Sequence, residues 1–191
     1  MIIRKAYKIR LYPNATQREI LQKQFGTVRF VYNYFLALRN EHYKKTGKGL
    51  NYCDLANRLV VLKKGEEYPW LREGDSQTMQ QSLKDQEKAF ANFFAKRSAF
   101  PKFKNKHGQQ AIRYPQRVKV NYESKRTYLP KVGWVKAIFH QDIEGKIKNV
   151  TVSKTKSGKY FASFQVEVVI ADPVFEGGRN GIDLGLQDYA V

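Results

Sequence analysis

Two stretches of the chain alternate between apolar and polar residues, and this two-residue period predicts β-strands. In residues 2–12, apolar side chains fall on one face and basic side chains on the other. The apolar positions are Tyr7, Ile9 and Leu11, and the basic positions are Arg4, Lys8 and Arg10. From Tyr160 to Ile170 the alternation is unbroken, and Ser157-Gly158 before it has the composition of a hairpin turn.

The segment after the first strand has the three- and four-residue apolar spacing of helices. Thr16 and Glu19 have the spacing of a capping box, and Gly26 is predicted to divide the helical stretch in two. An apolar stripe along it is predicted to be core rather than a stacking surface: Leu21, Phe25, Val28, Tyr32 and Phe35. A helix pair of this kind also fits a DNA-reading helix-turn-helix, although any small helical bundle shows the same pattern.

Two further helices are predicted before the strands return. One starts near Asp54, and a longer one begins at about residue 76 with either Asp75 or Ser76 as its cap. Trp70 is predicted to anchor the turn between them. Beyond residue 111 the alternating period predicts strands around Val118, in "YLPKVGWVK" and in "GKIKNVTVSK".

The order of these elements predicts an α+β fold. One strand is followed by a helical bundle and then by several antiparallel strands. Residues 172–180, "DPVFEGGRN", have the Pro and Gly content of a linker, and one more strand is predicted after them.

Charge is the strongest compositional signal. The chain has 35 Lys and Arg against 17 Asp and Glu, a net charge of +18. Residues 1–50 hold 11 basic and 2 acidic side chains, and residues 101–150 hold 12 and 3. Such concentrated positive charge favours a polyanionic partner over a merely well-solvated surface, and it points to nucleic acid.

Other functional classes find little support in the sequence. Cys53 is the only cysteine, so an internal disulfide and a paired-cysteine metal site are excluded, and the three histidines are scattered. No apolar run is long enough to span a membrane, and "MIIRKAYKIR" is not a signal peptide. We therefore expect a cytoplasmic protein that neither binds a membrane nor takes a small-molecule substrate.

Residues 100–120 interleave basic residues with Phe100, Phe103 and Tyr114. Cations hold phosphates while exposed rings stack on unpaired bases, so this mixture favours binding of RNA or single-stranded nucleic acid. A solvated loop with its aromatic rings tucked inward is the alternative. The cations predicted to bind RNA or phosphate, here and on the first strand, are Arg4, Lys8, Arg10, Lys102, Lys104, Lys106 and Arg113.

Asp183 is the candidate for catalysis. It stands in the short apolar run "GIDLGL", where a carboxylate is costly unless it holds a cation or accepts hydrogen bonds. Nucleases of the ribonuclease H type place their first metal-binding carboxylate in such a strand. A surface aspartate in a turn, and the phosphate loop of actin-like ATPases, are the alternatives.

Five segments resemble, in this order, the TnpB family of RNA-guided nucleases, also called OrfB transposases, which insertion sequences carry. They are "IRLYPNATQREILQKQFGTVRFVYNYFL", "SLKDQEKAFANFF", "FPKFKNK", "LPKVGWVK" and "GIDLGLQDYAV". The resemblance covers the whole chain and corresponds to about the N-terminal half of a family member.

The resemblance implies a domain arrangement. Residues 1–15 and 100–175 would form an antiparallel wedge β-barrel, and residues 16–99 an inserted helical recognition bundle. Residues 176–191 would hold the linker and the first strand of a RuvC (ribonuclease H-like) domain, with Asp183 as a Mg²⁺ ligand. Family members continue with two more catalytic carboxylates and a Cys-rich zinc-binding insert that this sequence lacks. We therefore expect no tightly bound metal and no DNA cleavage by this chain alone.

The resemblance also implies the partners, which are a guide RNA and a target DNA. The short motif that flanks the target would be contacted by Tyr52, Ser76 and Gln80. Their phenol, hydroxyl and amide groups suit that role, since Gln can pair bidentately with adenine. The structural alternative is that Ser76 caps a helix and Tyr52 packs. A nuclease-inactive RNA- or DNA-binding regulator built on the same scaffold is the competing function.

Overall fold

The computed structural model describes residues 1–171 as three α-helices and seven strands. In chain order these are β1 (Ile2–Tyr12), α1 (Ala15–Thr46), α2 (Tyr52–Lys64), a 3₁₀ turn (Pro69–Arg72), α3 (Ser76–Phe94), β2 (Gln110–Tyr114), β3 (Lys119–Asn121), β4 (Arg126–Leu129), β5 (Gly133–Ile138), β6 (Lys146–Lys154) and β7 (Tyr160–Val169). The predicted order of elements is confirmed, since every described helix lies between the first and second strands.

The seven strands form one antiparallel sheet in the order β2-β6-β7-β1-β5-β4-β3. β1 lies at its centre, paired along most of its length with β7 and at its end with β5. The sheet curls into a half-barrel. Within residues 1–171 the edge strands β2 and β3 do not pair with each other, so the described sheet is open.

The alternation in β1 and β7 sorts their side chains as predicted. Tyr7, Ile9 and Leu11 are buried, and Ala162 and Phe164 are buried beside them from β7. The hairpin predicted at Ser157-Gly158 joins β6 to β7, with Gly158 at φ +78°, where glycine avoids the steric cost of a Cβ.

The helical stretch after β1 is one helix, so the break predicted at Gly26 is wrong. A Cβ on Gly26 would meet nothing within 4 Å, and the helix passes through this position without interruption. A glycine inside a helix costs about 1 kcal/mol relative to alanine. Burial of the neighbouring Phe25 and Val28 outweighs that cost.

The capping box predicted at Thr16 and Glu19 is also wrong, because α1 is capped two residues earlier. The Asn14 side chain accepts from the Gln17 backbone N–H at 2.8 Å, and Gln17 Oε1 accepts from the Asn14 N–H at 3.1 Å. Gln17 Nε2 also donates to the Trp134 carbonyl at 3.0 Å. The cap therefore fastens α1 to β5 as well as starting the helix.

α1 contributes to two separate hydrophobic cores. Its first half places Leu21, Phe25 and Val28 against the inner face of the sheet. Its second half places Val31 and Phe35 in a helical core that α2, α3 and the 3₁₀ turn complete. Continuity of this one helix fixes the helices relative to the sheet.

The starts of α2 and α3 follow their caps. α2 begins at Tyr52, slightly before the predicted Asp54, because Asn51 and Asp54 form its capping box. α3 is capped by Asp75, whose carboxylate accepts from the N–H groups of Gln77 and Thr78. Leu71 rather than Trp70 is the buried side chain of the intervening turn, and Trp70 is 39% exposed.

These observations confirm a mixed helix-and-sheet fold. The predicted RuvC strand lies outside the described residues. None of the helices in residues 1–171 is both long and apolar enough to cross a membrane.

Candidate nucleic-acid interface

The outer face of the sheet carries an ordered array of cations and rings. On β1, the Lys8 ammonium lies 4.8 Å from the Phe161 ring centroid on neighbouring β7. The Arg10 guanidinium lies 5.0 Å from the same centroid and 5.3 Å from that of Tyr12. Cation–π contacts of this kind orient a charged group without neutralising it. Neither Lys8 nor Arg10 forms an ion pair within residues 1–171.

Arg4 lies on the same face but is already paired. Its guanidinium lies 3.3 Å from a carboxylate oxygen of Glu167 on β7, and the Lys148 ammonium lies 3.1 Å from the other. Hydrogen bonds from Lys148 and then from Arg4 hold the pKa of Glu167 below its usual range. Of the three predicted β1 cations, Lys8 and Arg10 are therefore the ones whose charge is uncompensated.

A second pair of cations on this face was missed from the sequence. Arg126 on β4 stands directly opposite Lys136 on β5, and both are exposed. Like charges in directly opposed positions destabilise a sheet, and an anion bound between them would relieve the repulsion. Tyr128 and the exposed Trp134 form the next pair on this face of the same two strands, and their ring centroids lie 5.5 Å apart. The signal in the sequence that could have identified these two cations is their place at outward positions of the two strands.

Arg113 lies on β2, at the edge of the sheet opposite β3. A shallow cavity of about 250 Å³ lies between it and Arg4, and polar groups of the central strands line the cavity, among them Asn149, Thr151 and Ser163. Hydroxyl and amide groups beside cations suit phosphate and sugar contacts. Arg113 Nη1 also lies 2.9 Å from Asp85 Oδ1, which ties the sheet edge to α3.

The loop after α3 places its three predicted lysines differently. All three residues keep exposed surface. Lys104 is anchored, because its backbone N–H donates to Asn33 Oδ1 and its carbonyl accepts from Asn33 Nδ2, both at 2.8 Å. Its ammonium lies 4.2 Å from the Tyr32 ring centroid. Desolvation lowers the pKa of Lys104, and the nearby Asp85 opposes that effect.

The aromatic residues predicted to stack on bases here do not all reach solvent. Tyr114 is 1% exposed in the sheet core, so its predicted stacking role is wrong. Burial raises the pKa of its hydroxyl above the ordinary value. Phe103 is 58% exposed and Phe100 is 45% exposed, so both stay available to a ligand.

The residues predicted to contact the flanking motif share one surface, which α2 and α3 form together. Ser76 and Gln80 are exposed on α3, and Tyr52 is half-buried at the start of α2. Two lysines that sequence reasoning missed connect the helices. Lys63 Nζ donates to Ser76 Oγ at 2.6 Å, and Lys84 Nζ lies 5.4 Å from the Tyr52 ring centroid.

We call this surface the α2–α3 surface. Asp75, and not Ser76, caps the helix α3 that forms part of it. The alternative that Ser76 caps α3 is therefore wrong, and its hydroxyl instead faces Lys63. Tyr52 does pack against the helical core. The four-residue steps from Ser76 to Gln80 and Lys84 place all three on one helix face, a signal already present in the sequence.

Comparison with known proteins identifies the family. Residues 1–48 match the helix-turn-helix domain of IS605 OrfB proteins. Over 98% of its length the chain is 40% identical to the Escherichia coli K12 protein named "Putative RNA-guided DNA endonuclease InsQ". The chain belongs to the TnpB (OrfB) family.

Two further relatives show how far the family likeness extends. A Streptomyces pristinaespiralis protein named "Putative RNA-guided DNA endonuclease" is 31% identical over 96% of the chain. The chain spans 46% of the length of this relative, and likewise of InsQ. "Virulence protein VsdF" of Salmonella dublin is 38% identical over 114 residues, which are 55% of the chain and 96% of VsdF.

In this TnpB-family chain the matched residues 1–48 are one strand and one uninterrupted helix. The helix pair predicted around Gly26, and with it a helix-turn-helix reader formed by that pair, is therefore wrong.

The predicted catalytic Asp183 lies outside the described residues of this TnpB chain, so its role and its Mg²⁺ stay predictions. Within residues 1–171, no three His, Cys, Asp or Glu side chains come together as a metal site.

Proposed function

We propose that this chain holds the guide RNA and target DNA of an RNA-guided DNA endonuclease. The observation that carries the proposal is the outer face of the sheet, where uncompensated cations stand beside aromatic rings and hydroxyl groups. Two relatives named as RNA-guided DNA endonucleases support it, although the chain spans less than half of each.

The outer face suits RNA because its groups match the parts of a folded RNA backbone. Lys8 and Arg10 offer charge to phosphates, and the rings of Phe161 and Tyr12 hold the two cations in place. Thr151 and Ser163 offer hydroxyl groups to the 2′-OH, which distinguishes RNA from DNA. Arg126 and Lys136 extend the positive charge across the sheet.

The α2–α3 surface suits the duplex that flanks the target. Gln80 is exposed, and its amide both donates and accepts, as bidentate recognition of adenine requires. Lys63, which contacts Ser76, and Lys84 lie about one helical turn to either side of Gln80 and suit phosphate contacts. Because the Asp75 cap fixes the start of α3, the positions of Gln80 and Lys84 on that helix are fixed as well.

The RNA proposal is tested by the salt dependence of binding. Removing one cation that binds a phosphate reduces the slope of log K against log salt by about 0.7 to 0.9. Replacing Lys8 and Arg10 together by glutamine should therefore flatten the slope by roughly 1.5. The control replaces Lys156 and Lys159 by glutamine, which removes two exposed charges from the β6–β7 hairpin, and it should leave the slope almost unchanged. An unchanged slope in the double variant would contradict the proposal.

The DNA proposal is tested by selecting bound duplexes from a randomised library. Gln80→Ala should change the selected sequence while RNA binding persists. Lys88→Ala, an exposed cation farther along α3, is the control, and it should weaken binding equally for all sequences. If Gln80→Ala selects the same sequences as the wild type, Gln80 does not read the motif.

A further inference from the structure

Four phenylalanines form an exposed cluster at the far end of α3, which we call the Phe cluster: Phe90, Phe93, Phe94 and Phe100. The Phe100 ring meets those of Phe90 and Phe93 edge-on, at centroid distances of 5.5 and 5.3 Å. Phe94 lies face to face with Phe90 at 6.3 Å, with an interplanar angle of 27°. Phe94 is 75% exposed.

The Phe cluster forms one wall of an open cavity of about 950 Å³, at the upper end of the range of roughly 300–1,000 Å³ for ligand sites. The end of α1 and the start of α2 form the opposite wall, with Tyr43, Asn40 and Asn51 among the lining residues. The cavity therefore combines flat apolar rings with side-chain amides, which both donate and accept hydrogen bonds.

The floor of the cavity is fixed by a buried charge. The Arg39 guanidinium lies 5.0 Å from the Phe90 ring centroid and is paired with Glu87. The Arg39 side chain is 8% exposed, and its Nε has no hydrogen-bond partner within residues 1–171. Phe90 is thus held against a buried arginine that is itself fixed by its ion pair.

The surroundings of the Phe cluster are cationic. Lys44 lines the cavity, and residues 95–109, which carry Phe100, contain five Lys and Arg and no Asp or Glu. Glu87 is the one acidic lining residue of the described chain, and Arg39 neutralises it. An apolar protein partner would gain nothing from this excess of charge, whereas a polyanion with flat bases would.

We propose that the Phe cluster is a stacking site for unpaired nucleobases of a single-stranded nucleic acid. The proposal rests on the nucleic-acid binding proposed above and adds a second site to it. Phe94 and Phe100 offer ring faces to successive bases. Lys44 and the exposed cations Lys96, Arg97 and Lys102 hold the phosphates between them, as aromatic and basic residues do in proteins that bind single strands.

The test compares two oligonucleotides with the same number of phosphates. One is an oligouridylate, and the other is an abasic strand of equal length. Phosphate contacts bind both, whereas stacking binds only the strand with bases. The wild-type chain should bind the oligouridylate about fivefold to a hundredfold more tightly than the abasic strand, the range for one stacked base.

Three variants of Phe94 separate stacking from simple burial of apolar surface. Phe94→Ala should reduce the ratio of the two affinities toward one and leave abasic binding unchanged. Phe94→Leu keeps the apolar area but has no π-face, so it should also lose most of the ratio, while Phe94→Trp should retain or raise it. Val61→Ala, a 71% exposed apolar residue on α2, is the control and should keep the wild-type ratio.

Several outcomes would overturn the stacking site. A wild-type ratio near one, or an unchanged ratio in Phe94→Ala, would remove it while the salt-dependent binding of both strands upheld the proposed function. Failure to bind either strand would remove both proposals. If light scattering shows a wild-type dimer that Phe94→Ala dissociates and Phe94→Leu preserves, the Phe cluster is a protein interface instead.

Discussion

Replacing Asp75 by alanine should destabilise the protein more than a typical substitution. The Asp75 carboxylate is 4% exposed and serves two elements at once. One oxygen accepts from the N–H groups of Gln77 and Thr78, each at 3.0 Å, and caps α3. The other accepts from Arg117 Nη2 at 2.8 Å, on the connection between β2 and β3.

The expected loss is the sum of two separable contributions. Loss of an N-cap costs about 1 kcal/mol, within a range of roughly 0.5–2. The contact with Arg117 adds about 1 kcal/mol rather than more, because the Arg117 side chain is 55% exposed and water solvates it when it is unpaired. Asp75→Ala should therefore lower the free energy of unfolding by roughly 2 kcal/mol. Asp75→Asn keeps the cap and should lose only about half of that.

Urea denaturation measures these differences, with Arg117→Gln as the matched variant that removes only the ion pair. Arg117→Gln should cost more than Asp75→Asn, because it leaves a carboxylate that is only 4% exposed without its cation, whereas Asp75→Asn leaves an arginine that water solvates. Combining them should cost less than the sum of the two, because both break the same contact. If Asp75→Asn costs as much as Asp75→Ala, the cap contributes nothing. If Asp75→Ala costs less than about 0.5 kcal/mol, the assigned role of Asp75 is refuted.

Three further substitutions test other parts of the structure. Gly74→Ala should destabilise by about 1–3 kcal/mol, because the new Cβ would lie 2.9 Å from Thr27 Cγ2. Tyr114→Phe should be neutral or stabilising by about 1 kcal/mol, since the buried hydroxyl has no hydrogen-bond partner within residues 1–171. Burial raises the pKa of Tyr114 in the folded state, so the wild type should lose stability above about pH 10, and the Phe variant should lose less. Phe161→Ala should weaken RNA binding about two- to fivefold, because it removes the ring that holds Lys8 and Arg10 in place.

Each of these three predictions has a measurement that could contradict it. Urea denaturation at pH 7 and pH 11 measures the stabilities of Gly74→Ala and Tyr114→Phe. A destabilising Tyr114→Phe, or an unchanged Gly74→Ala, would contradict the described packing. Val169→Ala, an 80% exposed position on the same strand as Phe161, is the control for RNA binding. Equal affinities for Phe161→Ala and Val169→Ala would remove Phe161 from the interface.

The candidate interface was only partly predictable. The charge of β1 and its outward face were evident from the alternation, and Ser76 and Gln80 came from the family resemblance. The sequence did not show that Glu167 compensates Arg4, because that partner lies 163 residues away on β7. Nor did it show that Arg126 and Lys136 face each other, since strand register depends on the turn between β4 and β5.

Local pattern determined which segments became strands and helices and which faces they bury. Tyr7, Ile9 and Leu11 went inward because alternation in a pleated strand leaves no other way to bury them. Tertiary contacts decided what local patterns left open. α1 continues through Gly26 because its side chains pack in both the sheet core and the helical core. This packing outweighs the cost of about 1 kcal/mol for a glycine inside a helix. The helix starts at the Asn14 cap rather than at the predicted Thr16, and the Gln17 of that cap also binds the Trp134 carbonyl, 117 residues away. Long-range partners of this kind have no local signature, because chain folding alone brings them together.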